Sequence, residues 1–169
     1  MKKVYLAGPG IFRPDAAEYG AMLKDLCEHY GLKGLFPLDS EVRGNNPREL
    51  AATIRAANIR MLEQSDYVIA DLSPFRGPEP DSGTVWEIGY AAALGKPVLG
   101  YSSDRREQRA KTVDILGLQA NATTDREGQR IEDFGLSHNL MFAHVVGHDS
   151  VEACLQALRA WQAGVAAPA

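Results

Sequence analysis

The chain has 169 residues, 45% hydrophobic and 24% charged, with 18 basic side chains against 22 acidic ones and a net charge of -4. That length suits one fold around one core, and the near-average composition excludes disordered, collagen-like and coiled-coil classes. A pI near 5.6 without a basic block argues against a nucleic-acid polymer as partner and favours small, weakly charged ones.

The predicted elements alternate strand and helix. Val4-Tyr5-Leu6-Ala7 is a buried-strand run closed by Gly8-Pro9-Gly10, and helical spacing of apolar residues runs from Asp15 to Tyr30 until Gly31 stops it. Leu35 to Leu38 is a short strand candidate. Asn46-Pro47 reads as an N-cap with proline at the first helical position, opening a helix to about Gln64. Tyr67 to Ala70 is the clearest strand, and Asp81-Ser82 caps a helix ending at Gly95. Lys96 to Tyr101 follows as a strand, Leu140 to Val146 as the last strand, and Ser150 to about Gln162 as the last helix. The connection from Ser102 to Asn139 is charged and has little apolar periodicity, as lids, partner contacts or partly disordered segments do. The order predicts an α/β fold: a five-stranded, mostly parallel sheet with helices on both faces. One domain is expected over residues 1–162, with an Ala/Pro-rich tail over 163–169 that frays.

Two cysteines, Cys27 and Cys154, lie in apolar helical patterns, where buried free thiols are expected. Met1-Lys2-Lys3 leads directly into the first strand without a signal-type apolar stretch. No run of about 18 apolar residues follows, so the cytoplasm is the expected compartment and no membrane contact is expected. No metal spacing is recognisable around His138, His144 and His148.

In open parallel sheets ligands bind at the carboxyl ends of the strands, here Gly8 to Phe12, Asp71 to Thr84 and Ser102 to Asp104. The proline- and glycine-rich middle segment delivers Asp81, an N-cap by spacing, and then Glu87 into a helix. Glu87 is either an acid that complements the helix dipole or a rim carboxylate that the helix end keeps ionised and nucleophilic. Gly8-Pro9-Gly10 fails as a dinucleotide fingerprint and reads as a close-approach turn. Tyr5 is expected to pack against the sheet. Arg105, Arg106, Arg109 and Lys111 form either an anion site or a solvated helix face.

Together these residues resemble the nucleoside 2-deoxyribosyltransferase family. The resemblance rests on Tyr5-Leu6-Ala7-Gly8-Pro9 with Phe12, on Asn58-Ile59 before Asp66, on Val68 to Gly77, and on Glu79 to Thr84 with Glu87, Gly89 and Ala91. Phe134-Gly135-Leu136 and Asn139-Leu140-Met141 complete it. It implies a flavodoxin-like doubly wound sheet and cofactor-free transfer of 2-deoxyribose from a 2′-deoxynucleoside to a free nucleobase, with retention, in nucleoside salvage. By the same resemblance Glu87 is the nucleophile, Asp81 contacts sugar and base, and Tyr5 orients Glu87. Gly8, Phe12, Asn58, Asp71, Phe75, Arg76 and Gly83 line the substrate site, and a neighbouring subunit of a homo-oligomer donates Asn139 and Met141. Some members carry aspartate where this chain has Asn58, and an amide cannot supply a catalytic proton. Two rival readings use the same scaffold: a 2′-deoxynucleoside 5′-monophosphate N-glycosidase with water as acceptor, and a non-catalytic nucleoside-binding module.

Overall fold

The computed structural model describes residues 1–165. Its strands are β1 (Lys3–Ala7), β2 (Lys33–Leu35), β3 (Tyr67–Asp71), β4 (Val98–Tyr101) and β5 (Val146–His148), and its helices are α1 (Ala16–His29), α2 (Pro47–Gln64), α3 (Ser82–Ala93), α4 (Gln108–Ile115) and α5 (Val151–Gln162). The sheet runs in the order β2-β1-β3-β4-β5 with every neighbouring pair parallel. This is the flavodoxin-like doubly wound order, in which successive crossovers leave on opposite faces either side of β1 and β3 and open a crevice between their carboxyl ends.

Because parallel strands are covered on both faces, β1 and β3 read as continuous apolar runs rather than alternating ones. Val4, Leu6, Ile69 and Leu99 point into a core with Leu23 and Cys27 of α1 and Cys154, Leu155 and Leu158 of α5. The alternate residues Tyr5, Ala7, Val68 and Ala70 point the other way, onto Met61 and Leu62 of α2 and Ile88 and Ala91 of α3. Both thiols are free and buried, as their apolar settings predict.

The helix caps follow the expected residues. The Asn46 side chain accepts from the Glu49 amide, the Asp81 side chain from the Thr84 amide, and the Ser150 side chain from the Ala153 amide.

Three expectations need correction. The second strand lies earlier than Leu35 to Leu38, at Lys33–Leu35, because Phe36 leaves the ladder: its amide donates 2.8 Å to the Asp39 side chain, and the Asp39 amide donates back to the Phe36 carbonyl. The last strand is not Leu140 to Val146. Asn139 turns that stretch by accepting the Phe142 and Ala143 amides at its carbonyl, a 3-10 turn occupies Ala143–Val145, and pairing with β4 begins only at Val146. The Ser102 to Asn139 connection contains α4, whose weak apolar periodicity hid it because its buried residues are Gln108 and Lys111. α5 ends at Gln162 as expected, and the last four residues of the tail expected to fray, 166–169, lie outside the described residues. Among the described residues no helix is long and apolar enough to cross a membrane.

Candidate active site

At the crevice between β1 and β3 the chain must turn without a side chain. Ala7 pairs with Ala70, so Gly8 arrives opposite Asp71; a Cβ on Gly8 would stand 2.9 Å from the Asp71 Cβ, at a φ of 156°. Only glycine fits that approach. Asp71 in turn accepts 3.0 Å from the Ser73 amide and 2.6 Å from the Ser73 hydroxyl through Oδ1. The same hydroxyl accepts 3.0 Å from the Ser103 amide, so the segments after β3 and β4 are joined.

On the α2/α3 side, fully buried Tyr5 donates its hydroxyl to Glu87 Oε1 at 2.6 Å. The tyrosine therefore packs against the sheet, as its strand position predicts, and also holds a carboxylate 82 residues away in sequence. Burial pushes the Glu87 carboxyl up to about 7; the Tyr5 hydrogen bond pulls it down and the Asp81 charge pushes it further up. Burial thus opposes the ionised form expected for a rim carboxylate, and the Tyr5 hydrogen bond favours it. Glu87 sits in the second turn of α3, where the dipole fades, and loss of water around the carboxylate outweighs it. For Tyr5, burial and then the Glu87 charge raise the phenol well above its ordinary value, so it stays a donor.

Asp81 caps α3 with Oδ2, which accepts 2.9 Å from the Thr84 amide and 3.0 Å from the Thr84 hydroxyl. Its charge is felt at Glu87. Asn58 comes from α2 and shares with Gly83, Trp86 and Glu87 a cleft of about 390 Å³, otherwise lined mainly by apolar side chains such as Ile54, Ile59 and Leu62. Asn58 Oδ1 is buried without a partner among the described residues. A mostly apolar cleft with a few convergent polar groups is the usual form of a small-molecule site.

Phe12, Phe75 and Arg76 meet at the same carboxyl edge. The two rings stack with centroids 5.3 Å apart, and the Arg76 guanidinium lies 5.1 Å from the Phe12 ring and 4.6 Å from the Phe75 ring. Arg76 has a φ of 57°, the left-handed region that a bulky residue enters only when its surroundings hold it there. Asn139 and Met141 lie elsewhere: the Asn139 side chain donates 2.8 Å to Glu132, its Oδ1 accepts 3.0 Å from the Met141 amide, and Met141 is 74% exposed. Among the described residues no hydrogen bond joins either of them to Glu87.

Two groups escaped the sequence reading. Trp86 and Ile54 line the cleft beside Glu87, and their sequence signal is helical spacing, Ile54 four residues before Asn58 and Trp86 three after Gly83. Gln108, Lys111 and His138 are buried polar residues in a segment without apolar pattern, and the solvated-face reading is wrong for Lys111, which is 0% exposed. Among the described residues no group of three or more His, Cys, Asp or Glu is placed to hold a metal.

The fold and this pocket define a doubly wound α/β protein with a tyrosine-held carboxylate beside its switch point. The nucleoside 2-deoxyribosyltransferase family model matches residues 4–141, and the chain belongs to that family. The structure resembles a 2-deoxyribosyltransferase from Leishmania mexicana, with 39% identity, a TM-score of 0.74, and coverage of 94% of this chain and 97% of that one. An uncharacterised Schizosaccharomyces pombe protein is 39% identical over 107 residues, 61% of this chain and 51% of its own length. The rat 5-hydroxymethyl-dUMP N-hydrolase is 34% identical over 76 residues, 45% of this chain and 40% of that protein. The chain thus spans about half or less of the length of these two relatives.

Proposed function

We propose that the protein transfers 2-deoxyribose between nucleobases through a covalent deoxyribosyl ester on Glu87. The observation that carries this reading is the Glu87 carboxylate held 2.6 Å from the Tyr5 hydroxyl, beside the switch point and open to an apolar cleft. In the first displacement a Glu87 oxygen bonds to C1′ of the donor, the C1′–N bond breaks, and the base leaves with its electron pair as a neutral base, carrying a proton that its ring took from water beforehand. In the second, a nitrogen of the acceptor base bonds to C1′, the ester C1′–O bond breaks, and the acceptor loses its proton, returning Glu87 as a carboxylate. Two inversions give net retention, and both pass through an oxocarbenium-like state whose positive charge the carboxylate stabilises.

The other candidates have complementary roles. Asp81, whose cap uses Oδ2, offers its second oxygen to the sugar or base. Asn58 meets the base but supplies no catalytic proton, so a donor whose ring nitrogen is protonated in advance, as a purine permits, reacts best. The Phe12–Phe75–Arg76 stack provides flat faces for a base. Gly8, Asp71 and Gly83 shape the pocket walls, while Asn139 and Met141 complete a neighbour's site.

Glu87→Gln preserves an acceptor for Tyr5 and removes the nucleophile. It is expected to lower base exchange by about a thousandfold or more with the fold intact, and intact mass is expected to find a deoxyribosyl adduct on the wild type only. Near-wild-type exchange in Glu87→Gln overturns the reading. Presenting dAMP and deoxyadenosine with and without hypoxanthine separates base transfer from hydrolysis, the activity named for the rat relative.

A further inference from the structure

The loop after β3 carries Phe75, Arg76 and Asp81, and it is held from outside by the connection that contains α4. His138, fully buried, places Nε2 2.9 Å from the Leu72 carbonyl and Nδ1 3.0 Å from the Ser137 hydroxyl. A carbonyl only accepts, so Nε2 carries the hydrogen and Nδ1 accepts from Ser137. Burial, followed by the nearby Lys111 charge, pushes His138 down to about 4, which keeps the ring neutral. Farther along the loop, Gln108 donates its side-chain Nε2 to Glu79 Oε1, and its backbone amide donates 2.7 Å to the Leu136 carbonyl. The Glu79 carbonyl accepts 2.9 Å from the Phe75 amide, so holding Glu79 also holds the turn that presents Phe75 and Arg76.

Two buried groups in this clasp lack partners that complement each other. Among the described residues fully buried Lys111 has one polar contact within hydrogen-bond range, His138 Nε2 at 3.4 Å, where the hydrogen already points at Leu72, and it forms no ion pair. Gln108 Oε1 is buried with no donor among the described residues. The two residues stand three apart on α4 and so share a face, and among the described residues no hydrogen bond joins the Lys111 ammonium to Gln108 Oε1. The charges of Asp104 and Glu79 both act on Lys111, so its ammonium lies in the field of the carboxylate that Gln108 grips.

We propose that Lys111 and Gln108 are positioning residues: the Lys111 charge polarises the Gln108 amide through space, and the amide N–H holds Glu79 and thereby fixes the 72–81 loop at the carboxyl edge of the sheet. The function of that loop rests on the deoxyribosyltransferase reading; the clasp itself does not. A buried amine in the field of carboxylates but paired with none is costly to keep for stability alone, since an apolar side chain of similar size would serve better.

Trypsin reports on the clasp without any activity, because Arg76 is exposed at the loop tip and Arg43 is exposed in the separate loop before α2. Gln108→Leu and Lys111→Met are expected to raise the rate of cleavage after Arg76, relative to that after Arg43, about fivefold to tenfold. Lys111→Met is expected to melt at or above the wild-type temperature. Glu79→Ala is expected to raise the same ratio, and Glu79→Gln, which keeps an acceptor oxygen, to leave it within about twofold of wild type. In base exchange, Gln108→Leu raises KM at least fivefold with kcat less changed, since Glu87 and Tyr5 stand on α3 and β1. An unchanged cleavage ratio in Gln108→Leu or Lys111→Met overturns the clasp. A raised ratio with unchanged KM overturns its role in positioning substrate. If the wild type transfers no deoxyribose, the proposed function fails while the ratio still decides the clasp.

Discussion

A carboxylate in an enzyme pocket has to be ionised to attack, yet the surroundings that shelter the reaction from water also favour its protonated form. Glu87 shows this conflict: burial brings it to about 7, and Tyr5 is the group pulling it back. If the free enzyme reacts only with Glu87 ionised, kcat/KM should rise with pH along an acid limb centred near 7. Tyr5→Phe removes the donor that stabilises the carboxylate, so the limb should move to higher pH. The loss should be greatest near pH 6, about tenfold to a hundredfold for a hydrogen bond to a charged group, and should narrow above pH 8. A Tyr5→Phe profile parallel to wild type at every pH rules out this role for the hydroxyl. Glu87 and Tyr5 could each be singled out in the sequence, Glu87 by its place after the loop and Tyr5 by the resemblance. Their bond was implied by the resemblance alone, because local pattern says nothing of β1 and α3 meeting across 82 residues, and the direction of the shift was not legible at all, because burial is a property of the packed cleft.

The elements that position the site were readable where local chemistry decides them. α2 and α3 announce their starts through Asn46-Pro47 and Asp81, and β1 and β3 through apolar runs that only a doubly covered parallel strand requires. β2 and β5 were misplaced because each is three residues long at a sheet edge, and α4 was invisible because its buried face is polar. Between β1 and β3 one atom sets the spacing. Gly8→Ala would bring a Cβ to 2.9 Å from the Asp71 Cβ, an atom fixed to the backbone rather than the end of a flexible chain. The two strand ends must part, which should cost about 1–3 kcal/mol and lower Tm by several degrees, with exchange falling about tenfold as Gly8 and Asp71 separate. Thermal melting and exchange kinetics check this together; a Gly8→Ala protein with wild-type Tm and rate shows that the turn has room to spare.

At the scale of the whole molecule, an exposed apolar segment stands apart from the cleft that holds Glu87. The segment from Phe134 to Met141 carries Phe134 at 65%, Leu140 at 50% and Met141 at 74% exposure, an apolar surface beside an asparagine tethered to Glu132 rather than to its own cleft. Exposed apolar side chains gathered on one segment mark surfaces that meet another protein. If that protein is a second copy, Asn139 serves a neighbour's pocket and Glu87 serves its own, so the two defects belong to different sites. Glu87→Gln and Asn139→Ala should each impair exchange alone. Unfolded together and refolded as a mixture, they should recover about a quarter of wild-type activity, because half of random pairs are mixed and each mixed pair assembles one intact site from the undamaged halves. The recovery should vanish when the two are refolded separately and combined afterwards without subunit exchange. Activity no higher than the sum of the separate variants means that Asn139 acts within its own chain or not at all. The clasp gives that outcome a further meaning, since His138 precedes Asn139 and also holds the Leu72 carbonyl. If the mixture recovers, the connection that fixes a subunit's own loop is the same one that presents Asn139 to its neighbour.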